Sequence, residues 1–238
     1  IFKKLEEKDL KIYLNGRIYL RKLSYKKVDP TNYLKIKNKI PSNVNILAVS
    51  KGFESQEIKT IQNLGQNDFG ESKFQEAFEK QLFLKDLKQI NWHFIGRIQS
   101  NKIRKIVQNF QYIHSVDSFE KLQKISNISI EEKKYPLIML QVKLSDDPTK
   151  GGFNPEFLTL NWREIQELKN ISLTGLMTIN PKGLSSKENS ELFKKCRALA
   201  DSLRLPDCSM GMSGDWEEAV DAGSTWLRLG SLLFGSRS

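Results

Sequence analysis

Short apolar runs alternate with amphipathic stretches eight times along this chain, between residues 45 and 230. Most of the intervening stretches repeat apolar residues at the three- to four-residue spacing of a helix. Strands that alternate with helices predict βαβ units and a parallel sheet. Eight such units favour the α/β class and a closed (β/α)₈ TIM barrel. The predicted strands are residues 45–50, 67–70, 92–96, 112–116, 136–144, 172–179, 207–212 and 224–230.

An open, doubly wound sheet is the alternative architecture, and it usually carries a Gly-rich fingerprint after its first strand. The segment SKGFES, at residues 50–55, lacks that spacing, so the barrel is favoured. No linker rich in Gly, Pro or Ser divides the chain. We therefore predict an N-terminal basic, helical extension at residues 1–40 and a barrel domain at residues 41–238.

The net charge of +10 over 238 residues raises the question of nucleic-acid binding. Residues 1–28 contain nine Lys or Arg against three acidic residues, so six of the ten charges lie there. The remainder is mildly basic, and its aromatic residues do not interleave with basic ones as a stacking surface requires. We expect a basic amphipathic N-terminal helix and a solvated lysine-rich surface, and no nucleic-acid site.

Membrane, secretory and metal-binding functions have no support in the sequence. No segment is long and apolar enough for a membrane span, and the start lacks the pattern of a signal peptide. Cys196 and Cys208 match no metal spacing and are interpreted as free thiols of a cytoplasmic protein. His93 and His114 lie on predicted strands without further ligands nearby, so we expect them to form hydrogen bonds in the core.

Small and polar residues follow the last two predicted strands. Ser213 follows the seventh strand, and Gly230 and Ser231 follow the eighth. TIM barrels usually bind phosphate in these two loops, where a short helix supplies backbone N–H groups. Arg228 lies on the eighth strand between two leucines, so it either faces a ligand or pairs with an acidic residue at the rim.

Lys51 comes directly after the first predicted strand and would carry its ammonium into the barrel mouth. Burial and a nearby arginine both lower the pKa of a lysine and so favour the neutral amine that attacks a carbonyl. A Schiff-base lysine opposite a phosphate cradle is typical of pyridoxal phosphate sites. The alternative, a solvated lysine at a strand end, is the commoner situation for a single lysine.

Seven motifs, in chain order, resemble the pyridoxal phosphate homeostasis proteins, which are single-domain relatives of the alanine racemase barrel. The motifs are ILAVSK, NDFGES, WHFIGRIQSNK, IHSVDS, GLMTI, SMGMSGDWEEAV and GSTWLRLGSLLFGSR. The resemblance implies a barrel of the alanine racemase N-terminal type that holds pyridoxal 5′-phosphate as an internal aldimine on a lysine, with an arginine at the pyridine nitrogen. The residues implied at the cofactor are Lys51, Ser213, Arg228, Gly230 and Ser231.

Two positions depart from the family pattern. Ser72 stands where the family typically has Asn, which could remove a polar contact near the cofactor. Ser231 replaces a common Thr, a mild change because the hydroxyl and the backbone N–H are both kept.

The resemblance implies a non-enzymatic function, in which the protein holds, buffers or delivers the cofactor inside the cell. An arginine at the pyridine nitrogen keeps that nitrogen unprotonated and weakens the cofactor as an electron sink. The racemases also use a second domain, for which we expect no room in this chain. We predict a monomer with no catalytic residues, whose partners are pyridoxal phosphate and pyridoxal phosphate-dependent apo-enzymes. The alternatives are a weak racemase or lyase that uses Lys51, and a barrel that binds a phosphorylated metabolite without a Schiff base.

Overall fold

Eight parallel strands close into a barrel in this computed structural model, which describes residues 11–14, 17–20, 28–87, 89–147 and 151–235. Two shorter strands, β1 (Lys11–Leu14) and β2 (Arg17–Leu20), precede the barrel. The barrel strands are β3 (Asn45–Val49), β4 (Asp68–Glu71), β5 (Asn91–Phe94), β6 (Tyr112–Val116), β7 (Leu137–Gln141), β8 (Ser172–Met177), β9 (Asp207–Met212) and β10 (Trp226–Leu229). The barrel closes because β10 pairs in parallel with both β9 and β3. The predicted (β/α)₈ barrel is confirmed.

Helices connect these strands on the outside of the barrel. A helix before the barrel is α1 (Pro30–Lys37), and the connecting helices are α2 (Ser55–Gln62), α3 (Phe74–Phe83), α4 (Ile103–Asn109), α5 (Phe119–Glu131), α6 (Pro155–Leu160), α7 (Trp162–Gln166), α8 (Ser186–Ser202), α9 (Trp216–Asp221) and α10 (Ser231–Phe234). The sequence predicts one helix where α6 and α7 lie. Asn161 marks the break, and its side-chain amide donates to the carbonyl of Phe157 at 2.8 Å, a contact that competes with continued helix.

Apolar side chains fill two layers of core. The larger layer lies between strands and helices, where Ile58 of α2 and Phe69 of β4 are fully buried. The smaller layer lies inside the barrel and consists of Leu47, Met139, Met177 and Trp226. Strands that are buried on both faces become nearly continuous apolar runs. This double burial explains why the strands stand out in the sequence.

The N-terminal region departs from the predicted helical extension. Residues 11–14 and 17–20 pair as an antiparallel two-stranded sheet, and the helix α1 is confined to residues 30–37. Both strands, KIYL and RIYL, carry the β-branched and aromatic residues that favour strands. The dipeptide Asn15-Gly16 between them is also a strong hairpin signal in the sequence. The predicted amphipathic helix is therefore wrong for these two segments.

Helix α1 packs into the barrel core. The Asp29 side chain accepts a hydrogen bond from the N–H of Thr31 and caps the helix. Tyr33 is fully buried, and its hydroxyl donates to Oε1 of Gln66 at 3.1 Å. Asn32 donates to the carbonyl of Leu232 at 2.8 Å, which joins α1 to α10. Helix α1 thus shares the barrel's core, although the predicted boundary at residue 40 separates the two.

None of the helices within the described ranges combines the length and the apolar character that crossing a bilayer requires.

Candidate functional site

The carboxyl ends of the eight strands surround one mouth of the barrel, and adjacent strands β3 and β10 bring two predicted site segments together. Leu229, the last residue of β10, is the register partner of Ala48 in β3. The next residue, Gly230, lies so close to β3 that an added Cβ would be 3.5 Å from the carbonyl oxygen of Val49. Lys51 follows β3 by two residues and is half-buried. The two segments therefore lie side by side at the mouth.

Ser213 joins this group from β9. Its hydroxyl accepts a hydrogen bond from the N–H of Leu232, in the first turn of α10, at 3.3 Å. The bend before it requires glycine: Gly211 has φ +89°, and an added Cβ would lie 2.5 Å from Cβ of Ala219. This bend lets α9 pack on the strand while Ser213 reaches the last loop.

The start of α10 offers donors for an anion. Gly230 is the N-cap of this helix, and Ser231 is its first residue. The first N–H groups of a helix have no partner within the helix, and they carry its positive partial charge. With the hydroxyls of Ser213 and Ser231 close by, this arrangement can hold a phosphate group.

Arg228 lies inside the barrel and is 5% exposed. Its Nη1 donates to the carbonyl oxygen of Ser209 and, at 3.0 Å, to the Ser209 hydroxyl. Its Nη2 donates to the carbonyl oxygen of Thr178 at 2.8 Å. Burial lowers the pKa of Arg228 to about 10, so the guanidinium is charged at neutral pH.

Among the described residues, Arg228 does not form the ion pair that is one of its two predicted roles. Each of its acceptors is an uncharged oxygen, and in the described part of the chain no carboxylate lies within ion-pair distance of it. Asp215, at the rim, instead accepts from the N–H of Met212 at 2.6 Å. Because a buried charge is costly without an electron-rich partner, this guanidinium favours a ligand that accepts hydrogen bonds.

A cluster of charged side chains, which the sequence analysis missed, anchors the turn that bears Lys51. Nζ of the buried Lys80 donates to the carbonyl oxygen of Ser50 and to Oε1 of both Glu71 and Glu76, each at 2.7 Å. The Ser50 hydroxyl donates to Glu71 at 2.6 Å, and the N–H of Gly52 donates to Glu76.

Burial raises the pKa of the Glu71 carboxyl, while Lys80 opposes that rise. The pair Glu76 and Lys80, four apart on α3, was the signal available in the sequence. Ser50 and Gly52, the two neighbours of Lys51, are thus both hydrogen-bonded to side chains of α3.

The two histidines lie in the barrel interior, as predicted. His93 and His114 are fully buried, and Nδ1 of the first is 2.9 Å from Nε2 of the second. Across the described ranges, no three side chains of His, Cys, Asp or Glu are grouped to hold a metal ion.

The sequence profile of the alanine racemase N-terminal domain matches residues 30–238. The pyridoxal phosphate homeostasis protein of Synechocystis sp. is 44% identical over 214 residues, which cover 87% of this chain and 98% of the relative. The chain belongs to the pyridoxal phosphate homeostasis family. The homeostasis protein of Pseudomonas aeruginosa is 40% identical over 203 residues, covering 83% of this chain and 86% of that protein.

Two solved structures share the barrel fold of this chain. PipY of Synechococcus elongatus, with pyridoxal phosphate bound, has a TM-score of 0.83 and 39% identity, covering 86% of this chain and 99% of PipY. The alanine racemase of Clostridium difficile has a TM-score of 0.74 and 18% identity, covering 87% of this chain and 56% of the racemase. At that identity the racemase shares the fold alone. This member of the homeostasis family therefore has a barrel of the alanine racemase N-terminal type.

Proposed function

We propose that this protein binds pyridoxal 5′-phosphate at the barrel mouth and acts in intracellular homeostasis of that cofactor, without robust catalysis of its own. The observation that carries the proposal is the buried Arg228 guanidinium, which has only neutral acceptors and shares the mouth with the serine- and glycine-rich start of α10. The names of the relatives and the cofactor bound in PipY support it.

The residues at the mouth fit the parts of this cofactor. Lys51 would hold its aldehyde covalently through Nζ, and Arg228 would donate to its ring nitrogen. The hydroxyls of Ser213 and Ser231 and the N–H groups of Gly230 and Ser231 would hold its phosphate. Bound pyridoxal phosphate supplies an electrophilic carbon and an electron-withdrawing ring.

The charge on Arg228 favours holding the cofactor over catalysis. A guanidinium that donates to the ring nitrogen leaves that nitrogen unprotonated, and an unprotonated ring stabilises a carbanion poorly. A weak racemase or lyase that uses Lys51 is the second candidate function. Exchange of the Cα hydrogen of D- and L-alanine in deuterated water tests it, and turnover well above that of free pyridoxal phosphate would overturn the carrier function.

Reductive labelling tests the covalent role of Lys51. The protein is incubated with pyridoxal phosphate and reduced with borohydride, and the modified lysine is mapped by mass spectrometry. We expect the label on Lys51, and we expect Lys51→Ala to lose the visible absorbance of the lysine-bound cofactor. Lys143→Ala is the matched control, because Lys143 follows β7 at the same mouth. A label on another lysine, with full absorbance in Lys51→Ala, would contradict the proposal.

The same experiment distinguishes the proposed function from a third candidate, a barrel that binds phosphorylated metabolites without a Schiff base. That candidate requires tight binding of pyridoxal phosphate without any visible band and with equal affinity in Lys51→Ala.

We further propose that the protein is a cytoplasmic monomer that supplies pyridoxal phosphate-dependent apo-enzymes. Cys196 and Cys208 are buried free thiols, which supports a reducing compartment. Light scattering tests whether the protein is a monomer. Delivery is tested by measuring transfer of the cofactor to an apo-enzyme while a trap removes free cofactor from solution. We also propose that the barrel unit includes α1 and begins near residue 28 rather than at residue 41, because α1 shares the core.

A further inference from the structure

A continuous chain of hydrogen bonds crosses the barrel interior below Arg228. Its Nη1 lies 3.0 Å from Oγ of Ser209, which lies 2.9 Å from Nδ1 of His114. Nε2 of His114 lies 2.9 Å from Nδ1 of His93, and Nε2 of His93 lies 3.1 Å from Oδ1 of Asp68. Asp68 is the first residue of β4, so the chain ends at the amino-terminal end of the barrel.

The chain is enclosed along its middle. Ser209, His93 and His114 are fully buried, whereas the Asp68 side chain is 24% exposed. Tyr112 stacks on His93 with ring centroids 4.0 Å apart, and the ring centroid of Trp226 lies 5.1 Å from that of His93. These aromatic walls hold the imidazoles in place and keep water from replacing their partners.

The donors along the chain have one consistent direction. Arginine only donates hydrogen bonds, and an ionised carboxylate only accepts them. Burial lowers the pKa of both histidines, so each is neutral and carries one N–H. His93 must then donate from Nε2 to Asp68 and accept at Nδ1 from Nε2 of His114.

The remaining bonds follow from this assignment. Nδ1 of His114 carries no hydrogen, so it accepts from the Ser209 hydroxyl, and the Ser209 oxygen accepts from Arg228. Every hydrogen bond therefore runs from the guanidinium toward Asp68.

We propose that Ser209, His114, His93 and Asp68 are positioning residues for Arg228. This chain, the Arg228–Asp68 relay, fixes the guanidinium at the barrel mouth and links its positive charge to a carboxylate at the opposite end. The inference rests on the proposed function, in which Arg228 faces the ring of pyridoxal phosphate. Breaking the relay removes the Ser209 hydroxyl from Arg228 and leaves its guanidinium held only by the carbonyl oxygens of Ser209 and Thr178, while Lys51 and the start of α10 are unchanged.

The relay itself is tested in cofactor-free protein by NMR of ¹⁵N-labelled histidine. We expect both imidazoles as neutral Nε2–H tautomers at neutral pH, because burial lowers the pKa of both rings. An Nδ1–H tautomer or a charged ring at either position would overturn the assigned direction. This measurement does not depend on cofactor binding, so it stands if the proposed function fails.

The effect on the site is tested with Ser209→Ala. We expect release of pyridoxal phosphate to become about tenfold faster, the size expected for loss of one buried hydrogen bond, and His114 to lose its single tautomer. Ser129→Ala is the matched control, because Ser129 on α5 is fully buried and its hydroxyl has no partner among the described residues. Equal release rates in the two variants, with normal binding in the unmodified protein, would overturn the proposal while leaving the proposed function intact.

A pair of variants at Asp68 separates charge from hydrogen bonding. Asp68→Asn keeps an acceptor oxygen for His93 and removes the charge, whereas Asp68→Ala removes both. We expect the His93 tautomer to survive only in the Asn variant and release to be faster in both. Release at the unmodified rate in Asp68→Asn would overturn the link between the two charges.

Discussion

At the scale of single residues, a buried charge lies at each of the two places proposed to meet the cofactor, Lys80 beside Lys51 and Arg228 itself. Lys80 binds the carbonyl oxygen of Ser50, directly before Lys51, and neutralises Glu71 behind the strand. Arg228 has only uncharged partners of its own. The first arrangement is a closed ion pair that fixes a backbone turn. The second is a buried cation whose hydrogen bonds go to neutral oxygens alone.

Lys80→Ala is expected to lower the free energy of unfolding by about 3–5 kcal/mol, because it leaves the fully buried Glu71 carboxylate without its cation. Urea unfolding measures this loss. Lys80→Met combined with Glu71→Leu should recover most of it, since no buried charge then remains. A loss of less than about 1 kcal/mol in the single variant would show that the ion pair contributes little.

At the scale of elements, the loops that follow neighbouring strands press directly on one another. Gly96 follows β5, and an added Cβ there would lie 1.9 Å from the carbonyl oxygen of Ser72, which follows β4. Ser72 is also one of the two positions at which the sequence is expected to depart from the family pattern. Its backbone is thus confined by a neighbouring loop, whatever contact its side chain makes.

Gly96→Ala is expected to destabilise the protein by about 1–3 kcal/mol, because the two loops must move apart to admit a methyl group. Thermal unfolding measures the change. Gly214→Ala serves as the control, because no atom lies within 4 Å of an added Cβ at that position. Equal melting temperatures for the two variants would contradict the close packing.

Helix α1 is the second case at this scale, and it tests where the barrel unit begins. Tyr33→Ala should lower the free energy of unfolding by about 3–5 kcal/mol, the range for loss of a fully buried aromatic ring. Leu34→Ala on the same helix should cost far less, because Leu34 is 43% exposed. Both are measured in urea. A negligible effect of Tyr33→Ala would favour the boundary that the sequence predicts at residue 40.

At the scale of the whole molecule, two neutral histidines inside the barrel link stability to pH. Burial lowers the pKa of His93 and His114 from the ordinary value of 6.5. Below that value the unfolded chain binds protons that the folded chain does not. Stability therefore falls as the pH drops from 6.5 toward the folded-state pKa values. The raised pKa of Glu71 acts in the opposite sense, because its folded form binds a proton more readily than its unfolded form.

We expect the free energy of unfolding to fall as the pH drops below 6.5, by up to about 1.4 kcal/mol per pH unit for each histidine. Urea unfolding at a series of pH values measures the slope. His114→Asn should be less stable at neutral pH but should show a shallower slope. A slope that is flat or reversed in the unmodified protein would contradict neutral buried histidines.

The strands were predictable because each is a short run buried on both faces, as in YIHSV of β6. The antiparallel pair β1 and β2 was missed, although Asn15-Gly16 and the alternating residues beside it signalled a hairpin. The two short helices α6 and α7 were predicted as one, because local spacing does not show where a side chain competes with the helix backbone.

The hydrogen-bond partners of the buried polar side chains could not be predicted from local sequence patterns. His114 and Ser209 are hydrogen-bonded across 95 residues of chain, and Lys80 reaches back 30 residues to Ser50. Only the topology brings such groups together, so the sequence indicated buried histidines without showing their partners. Lys51, Arg228 and the last loop could be grouped in advance, because the carboxyl ends of parallel barrel strands share one face.

The pairing of β3 with β10 has a consequence for synthesis of the protein. Leu47 of β3 and Arg228 of β10 are register partners. The first barrel strand to be synthesised therefore has no partner along this edge until the last strand has left the ribosome. Until then the edge of β3 is open to wrong partners, and such intermediates are prone to aggregate. Lys51 follows β3 by two residues and Arg228 lies on β10, so a nascent chain cannot assemble the proposed site early. We expect the newly made protein to capture its cofactor only after the barrel has closed.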